Sequence, residues 1–165
     1  MQTAEIIDRL LSEALDVARE GRGDVTLAEA VGLAARAEAR ARAMGVPVAI
    51  SVADRQGRQI LFHRMADILP ASAQLASDKA WTAAALRMGT HELGQLAQPG
   101  GMLFGVQATL GGRVVIFGGG LPIARNGMLC GAIGISGGTV EEDIQIARHA
   151  LGDRFDEAGA GPKAE

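Results

Sequence analysis

Tyrosine is absent from the 165 residues, and aromatic side chains as a whole are scarce, with one Trp and four Phe. Binding of single-stranded nucleic acid relies on rings that stack against bases, and this chain has almost no material for such a platform. Positive charge is not in surplus either: 16 Lys+Arg stand against 19 Asp+Glu, a formal net charge of −3. A protein that gains affinity by neutralising phosphates needs the opposite balance, so nucleic acid is not an expected partner. The single cysteine, Cys130, cannot close an internal disulfide. Glu5 and Asp8 precede an interrupted apolar pattern that does not resemble a secretory signal, and the cytoplasm is the expected location. Long hydrophobic runs are also missing. The uncharged stretches 95–112 and 126–140 are broken by Gly, Gln or Asn, so no membrane span is expected.

What is present is an aliphatic, globular composition, 48% hydrophobic and 21% charged, in a chain long enough for one domain. Residues 3–20 place Ile6, Leu10, Leu11 and Leu15 largely on one helical face and predict an amphipathic helix. Thr26 and Glu29 have the capping-box spacing and predict a second helix that runs to about Met44 and stops at Gly45. Residues 46–54 are apolar and β-branched, and strand character resumes over 59–64 after a polar turn, which predicts a hairpin. Ser72 is a candidate cap for an Ala-rich helix through Met88, and Thr90 for a short helix from His91 to Ala97.

Between Gly89 and Gly138 lie 15 of the 23 glycines, interleaved with the apolar segments 114–117 and 128–135, read as a second β region. Glycine at this density marks turns with positive φ, or backbone that approaches a ligand or another chain. Thr139 and Glu142 repeat the capping-box spacing and predict a closing helix to about Leu151, ended by Gly152. Helices, a hairpin, helices, a β region and a helix do not alternate regularly, which favours an α+β fold with a central antiparallel sheet covered by helices.

His63, His91 and His149 lack metal-ligand spacing, so a structural zinc site is not expected; haem, which needs one or two axial ligands, remains compatible. His91, next to the glycine-rich region, is the best-placed candidate for haem iron. Lys79 is the only lysine before Lys163. In an apolar helix it would snorkel, pair with a carboxylate, or meet an anionic ligand or substrate. Gly137, Ser136 and Thr139 would present N–H and hydroxyl groups to a carboxylate at a helix start, although tight packing of bare backbone explains the same glycines. The order G-x-x-x-x-G-K-[ST] of a nucleotide loop is absent.

The run VPVAISVAD, the spaced residues Arg64-Met-Ala-Asp67, Ser72 and Lys79-Ala-Trp-Thr-Ala-Ala, and the segments GGLPI and GAIGISGGTVEED together resemble the GlcG/HbpS family, also known as the C-terminal domain of PduO-type proteins. The resemblance covers about residues 26–151. It implies a profilin-like three-layer sandwich; length and composition place this in a single domain over 1–155 with the N-terminal helix at 1–22, and the small, polar residues 156–165 are expected to form a flexible tail. It also implies homo-oligomers, dimers or higher, and binding of haem or a related tetrapyrrole. Thr90 falls in a segment that approaches ligand in the family. No histidine precedes His63, so a histidine ligand from the N-terminal helical part does not carry over, and Ala66 stands where an acidic residue usually follows Arg-Met. On this reading Thr90 or His91 sits near iron, and Lys79 or Arg64 pairs with propionates. A second reading is a cofactor-free isomerase or lyase acting on a small organic acid, with Lys79 or Glu142 as acid/base and the 134–139 turn holding the carboxylate.

Overall fold

The computed structural model describes Ile7 and residues 23–158; the helix expected over 3–20 lies outside them. The first described helix, α1 (Leu27–Met44), starts at the expected reciprocal cap. Thr26 Oγ1 accepts from the Glu29 N–H at 3.3 Å, and Glu29 Oε2 accepts from the Thr26 N–H at 2.9 Å. It ends at Gly45 in the left-handed region, φ 70°. Its buried stripe, Ala30, Leu33, Ala34, Ala37 and Ala41, follows the helical period.

The hairpin forms as expected from β1 (Ala49–Asp54) and β2 (Gln59–Arg64), paired antiparallel. Every residue of β1 is buried, because helices cover both faces of the sheet there. Next come α2 (Pro70–Leu86), α3 (Thr90–Leu96), an irregular segment 97–119, β3 (Gly120–Arg125), β4 (Met128–Ser136), α4 (Val140–Leu151) and β5 (Asp156–Glu157). The antiparallel sheet has the order β2-β1-β4-β3-β5. On one face, α1 and α4 bury Ile50, Val52, Ile123, Ile133, Ile135 and Ile146, all fully enclosed. Each such side chain contributes roughly 2 kcal/mol of hydrophobic stabilisation. On the other face lies α2. Among the described residues no helix is long and apolar enough to cross a membrane.

Five expectations need correction. Ser72 does not cap α2: the helix starts at Pro70, whose missing N–H costs nothing in a first turn, and Ser72 is buried inside it. That helix stops at Leu86 because Arg87 turns left-handed, φ 55°. Thr90 is the first residue of α3, and Gly89 is its cap. The apolar stretch 114–117 is not a strand; the partner of β4 is Gly120–Arg125, with Pro122 turned so that its nitrogen faces away from β4. The expected tail begins with order, since Asp156 and Glu157 pair with Ala124 and Ile123.

Candidate functional site

The glycines explain how α2 reaches the sheet. Gly120 and Gly134 are paired across β3 and β4. A Cβ on Gly134 would lie 2.1 Å from the Ala76 carbonyl oxygen, and one on Gly120 would lie 2.5 Å from that of Lys79. Bare backbone here admits a helix whose own contacts are Ala76, Ala80, Ala83 and Ala84. The close approach brings Lys79 to the end of the sheet. Its ammonium donates to the Ile135 carbonyl at 2.8 Å and to Asp143 Oδ2 on α4 at 2.7 Å, joining the two helical layers.

Both side chains of this pair are enclosed, at 1% and 3% exposure. Burial pushes the Lys79 pKa down and that of Asp143 up, and each partner's charge holds the other back. Asp143 Oδ1 also accepts from the Gly138 N–H at 3.0 Å. The Phe117 ring lies over the ammonium, 5.1 Å from its centroid, within cation–π range. The sequence singled out Lys79 and missed Asp143. A signal existed, since position 143 falls on the stripe completed by Ile146, Ala147 and Ala150, and an acid on an apolar stripe needs a buried partner.

Thr90 is buried beside this pair, its Oγ1 accepting from the Gly120 N–H at 2.9 Å. His91 packs its ring against Gly89, where a Cβ would meet the imidazole at 2.5 Å. Its Nε2 lies 3.4 Å from Arg148 Nη2 and 3.8 Å from Glu157 Oε1. Its Nδ1 is buried with no hydrogen-bond partner among the described residues. The structure therefore gathers Lys79, Thr90, the 118–120 glycines and the start of α4 at one end of the sheet.

Of the remaining sequence candidates, Ser136, Gly137, Thr139 and Glu142 are engaged locally and Arg64 is exposed. Ser136 is buried at the end of β4. Gly137 packs on the backbone of Pro47, where a Cβ would lie 2.1 Å from the carbonyl oxygen. Thr139 and Glu142 cap α4 reciprocally: Thr139 Oγ1 accepts from the Glu142 N–H at 3.2 Å, and Glu142 Oε2 accepts from the Thr139 N–H at 2.8 Å. Arg64 ends β2, two strands from β4, at roughly 10 Å on ordinary strand spacing.

The sequence reading did not anticipate the apolar rim. Met102, Phe104, Leu110 and Phe117, at 83%, 64%, 65% and 41% exposure, all lie in the irregular segment 97–119. Gly118 continues that rim onto α4, because a Cβ there would meet Ile144 at 2.4 Å and Val140 at 3.0 Å. The segment is fastened to α2: the Arg113 guanidinium stacks on Trp81 at 4.4 Å, its Nε donates to Asp78 at 3.1 Å, and the Val115 N–H donates to Thr82 Oγ1 at 3.1 Å. Two of the four Phe residues in a glycine-rich stretch were the available clue.

The class is an antiparallel α+β sandwich with a buried Lys–Asp tie between its helical layers and exposed apolar side chains on the segment 97–119. The family model described as haem degrading protein HbpS-like matches residues 25–152. The chain belongs to that family. It is 48% identical over 133 residues to a 15.0 kDa protein from the dhaT-dhaS intergenic region of Citrobacter freundii, covering 81% of this chain and 93% of the relative. It is 47% identical over 112 residues to the corrinoid adenosyltransferase PduO of Salmonella typhimurium, covering 68% of this chain and 33% of that longer relative. Among solved structures, a PduOC–haem complex superposes with a TM-score of 0.75 at 43% identity, covering 78% of this chain and 93% of that one.

Proposed function

We propose that this chain binds haem or a related tetrapyrrole and acts in the cytoplasm as an accessory or sensing protein, with the exposed segment around Met102, Phe104 and Phe117 as its docking face. The observation that carries this reading is that concentration of large apolar side chains, left in solvent on a segment fastened to α2. A solvated apolar patch marks a binding surface. The residues fit a flat apolar guest. The buried Nδ1 of His91 has no hydrogen-bond partner among the described residues, so His91 is the imidazole that would hold the iron. Lys79 supports the face from below rather than meeting propionates, because it is enclosed and its ammonium donates hydrogen bonds to Asp143 and the Ile135 carbonyl. Haem, when bound, supplies a redox-active iron; the chain supplies the apolar bed and keeps water from one side of the ring.

Titration of the purified protein with hemin tests this. A saturable Soret shift is expected, weakened about tenfold or more by Phe104→Asp, a substitution at a side chain 64% exposed and so harmless to folding. Replacing Thr90 and His91 together by Ala is expected to change the position of the bound band. No shift removes tetrapyrrole binding, and a shift unaffected by Phe104→Asp removes this face.

A further inference from the structure

Helix α1 is apolar on two faces. One is the buried stripe from Ala30 to Ala41. The other repeats every four residues, at Leu27, Val31, Ala35 and Ala39, and all four are exposed among the described residues, Leu27 at 60% and Val31 at 52%. A helix with apolar side chains on both sides belongs between two layers rather than at a surface. Beside this second face runs a cleft of about 260 Å³, walled by Val31 and Ala34 on α1 and by Leu61 and Phe62 on β2, and lined also by the ion-paired Glu38 and His63.

We infer that this face is the docking site of the chain's own N-terminal segment, residues 3–20, which lies antiparallel to α1 along the cleft between α1 and β2. The place where the described chain begins selects this occupant. Asp24 Oδ1 accepts from the Arg55 N–H at 3.2 Å, and the Val25 N–H donates to the Cys130 carbonyl at 2.8 Å. The segment therefore departs beside the β1–β2 turn, at the end of the cleft where α1 starts. Its length matches: residues 3–20 and α1 are 18 residues each, about 27 Å as helix. Residues 21–26 suffice for the reversal, since helix–helix connections commonly take about 2–8 residues. Its pattern matches as well, with Ile6, Leu10, Leu11 and Leu15 largely on one helical face. Ile7, the described residue of this segment, is helical and 52% exposed, an apolar side chain as much in need of cover as Val31. Setting Glu20 level with Leu27 brings Leu11 and Leu15 alongside the stretch from Val31 to Ala35, Arg9 to Glu38 and Glu5 to Arg42, so opposite charges meet. A segment on so short a tether has an effective concentration of about millimolar, which favours it over a free partner.

Hydrogen exchange of the full chain, read peptide by peptide by mass spectrometry, tests the inference. Amides of residues 3–20 are expected to exchange about tenfold or more slowly in the wild type than in Val31→Asp, which places a carboxylate in the middle of the contact. Leu11→Asp, made on the other side of the contact, should release the same amides. Protection of β1 and β4 in each variant reports that the sandwich has folded, and the two variants lie on different segments, so the test does not hang on either alone. Wild-type amides at 3–20 that exchange as fast as an unfolded chain would overturn the assignment, as would protection that both substitutions leave intact. Protection that fades on dilution would also overturn it, because the cover would then come from another molecule.

Discussion

Lys79 and Asp143 show how little of a buried charge's role is visible until its partner is known. Each is costly to bury alone, and the pair is tolerated because the two sit 2.7 Å apart with backbone groups on their remaining sites. Lys79→Met leaves Asp143 without its counter-charge, and a loss of about 3–5 kcal/mol is expected for such a break. The double variant Lys79→Met with Asp143→Leu should recover most of that loss, since no charge is left stranded. The pH dependence has a definite sign. Without Lys79, burial alone holds the Asp143 pKa above its ordinary 3.8. The folded state then binds the proton more tightly than the unfolded chain, so this contribution is fully present below the unfolded pKa and is lost as pH rises through the folded one. Urea unfolding of Lys79→Met at pH 4 and pH 7 should therefore show a smaller deficit against wild type at the lower pH; an equal deficit would mean that Asp143 has found another cation. From sequence, Lys79 stood out by scarcity. Asp143 was hidden among three consecutive acids, where a favourable helix-start charge accounts for all of them equally well.

At the scale of elements, legibility followed local chemistry. Thr26 with Glu29 and Thr139 with Glu142 marked both helix starts to the residue, because a capping box is a local contact that needs no tertiary partner. The start of α2 and the segment 114–117 were misplaced for the opposite reason: Pro70 gives no side-chain cap, and an apolar run studded with glycine has no period to read. Those glycines were read as a bed for a ligand or as packing, and at Gly120, Gly134 and Gly137 the structure shows packing. This difference can be measured. Gly134→Ala puts a methyl 2.1 Å from the Ala76 carbonyl oxygen, so α2 must lift from the sheet, with an expected loss of about 1–3 kcal/mol or more. Gly32→Ala, on α1, meets only Arg36 Nη1 at 3.5 Å and should gain about 0.5–1 kcal/mol from helix propensity. Thermal or denaturant melting of both variants decides it, and similar effects from the two would contradict the close approach of α2.

For the molecule as a whole, the proposed docking face depends on a segment without regular structure beyond two short 3-10 turns, tied to α2 through Arg113 and the Val115 N–H. Trp81 reports on that attachment because it is the only tryptophan in the chain. One side of its indole meets Gly57, where a Cβ would come within 2.7 Å of Cδ1, and the Arg113 guanidinium stacks on the ring. Arg113→Ala removes that cover and the ion pair with Asp78, whose Arg113 side chain is 46% exposed. An exposed pair and a surface cation–π contact together are worth about 1 kcal/mol, so global stability should barely change. Trp81 emission should nevertheless move to the red as water replaces the guanidinium, with far-UV circular dichroism unchanged. Thr82→Val acts on the same attachment from the buried side: it strands the Val115 N–H, for which a loss of about 1–3 kcal/mol is expected. If the segment is the bed of a tetrapyrrole, bound hemin, which absorbs where indole emits, should quench Trp81 in the wild type, and both variants should weaken hemin binding in proportion to how far they release the segment. Unchanged Trp81 emission in Arg113→Ala would show that the segment is held elsewhere, and undiminished hemin affinity in both variants would separate the attachment from the binding face.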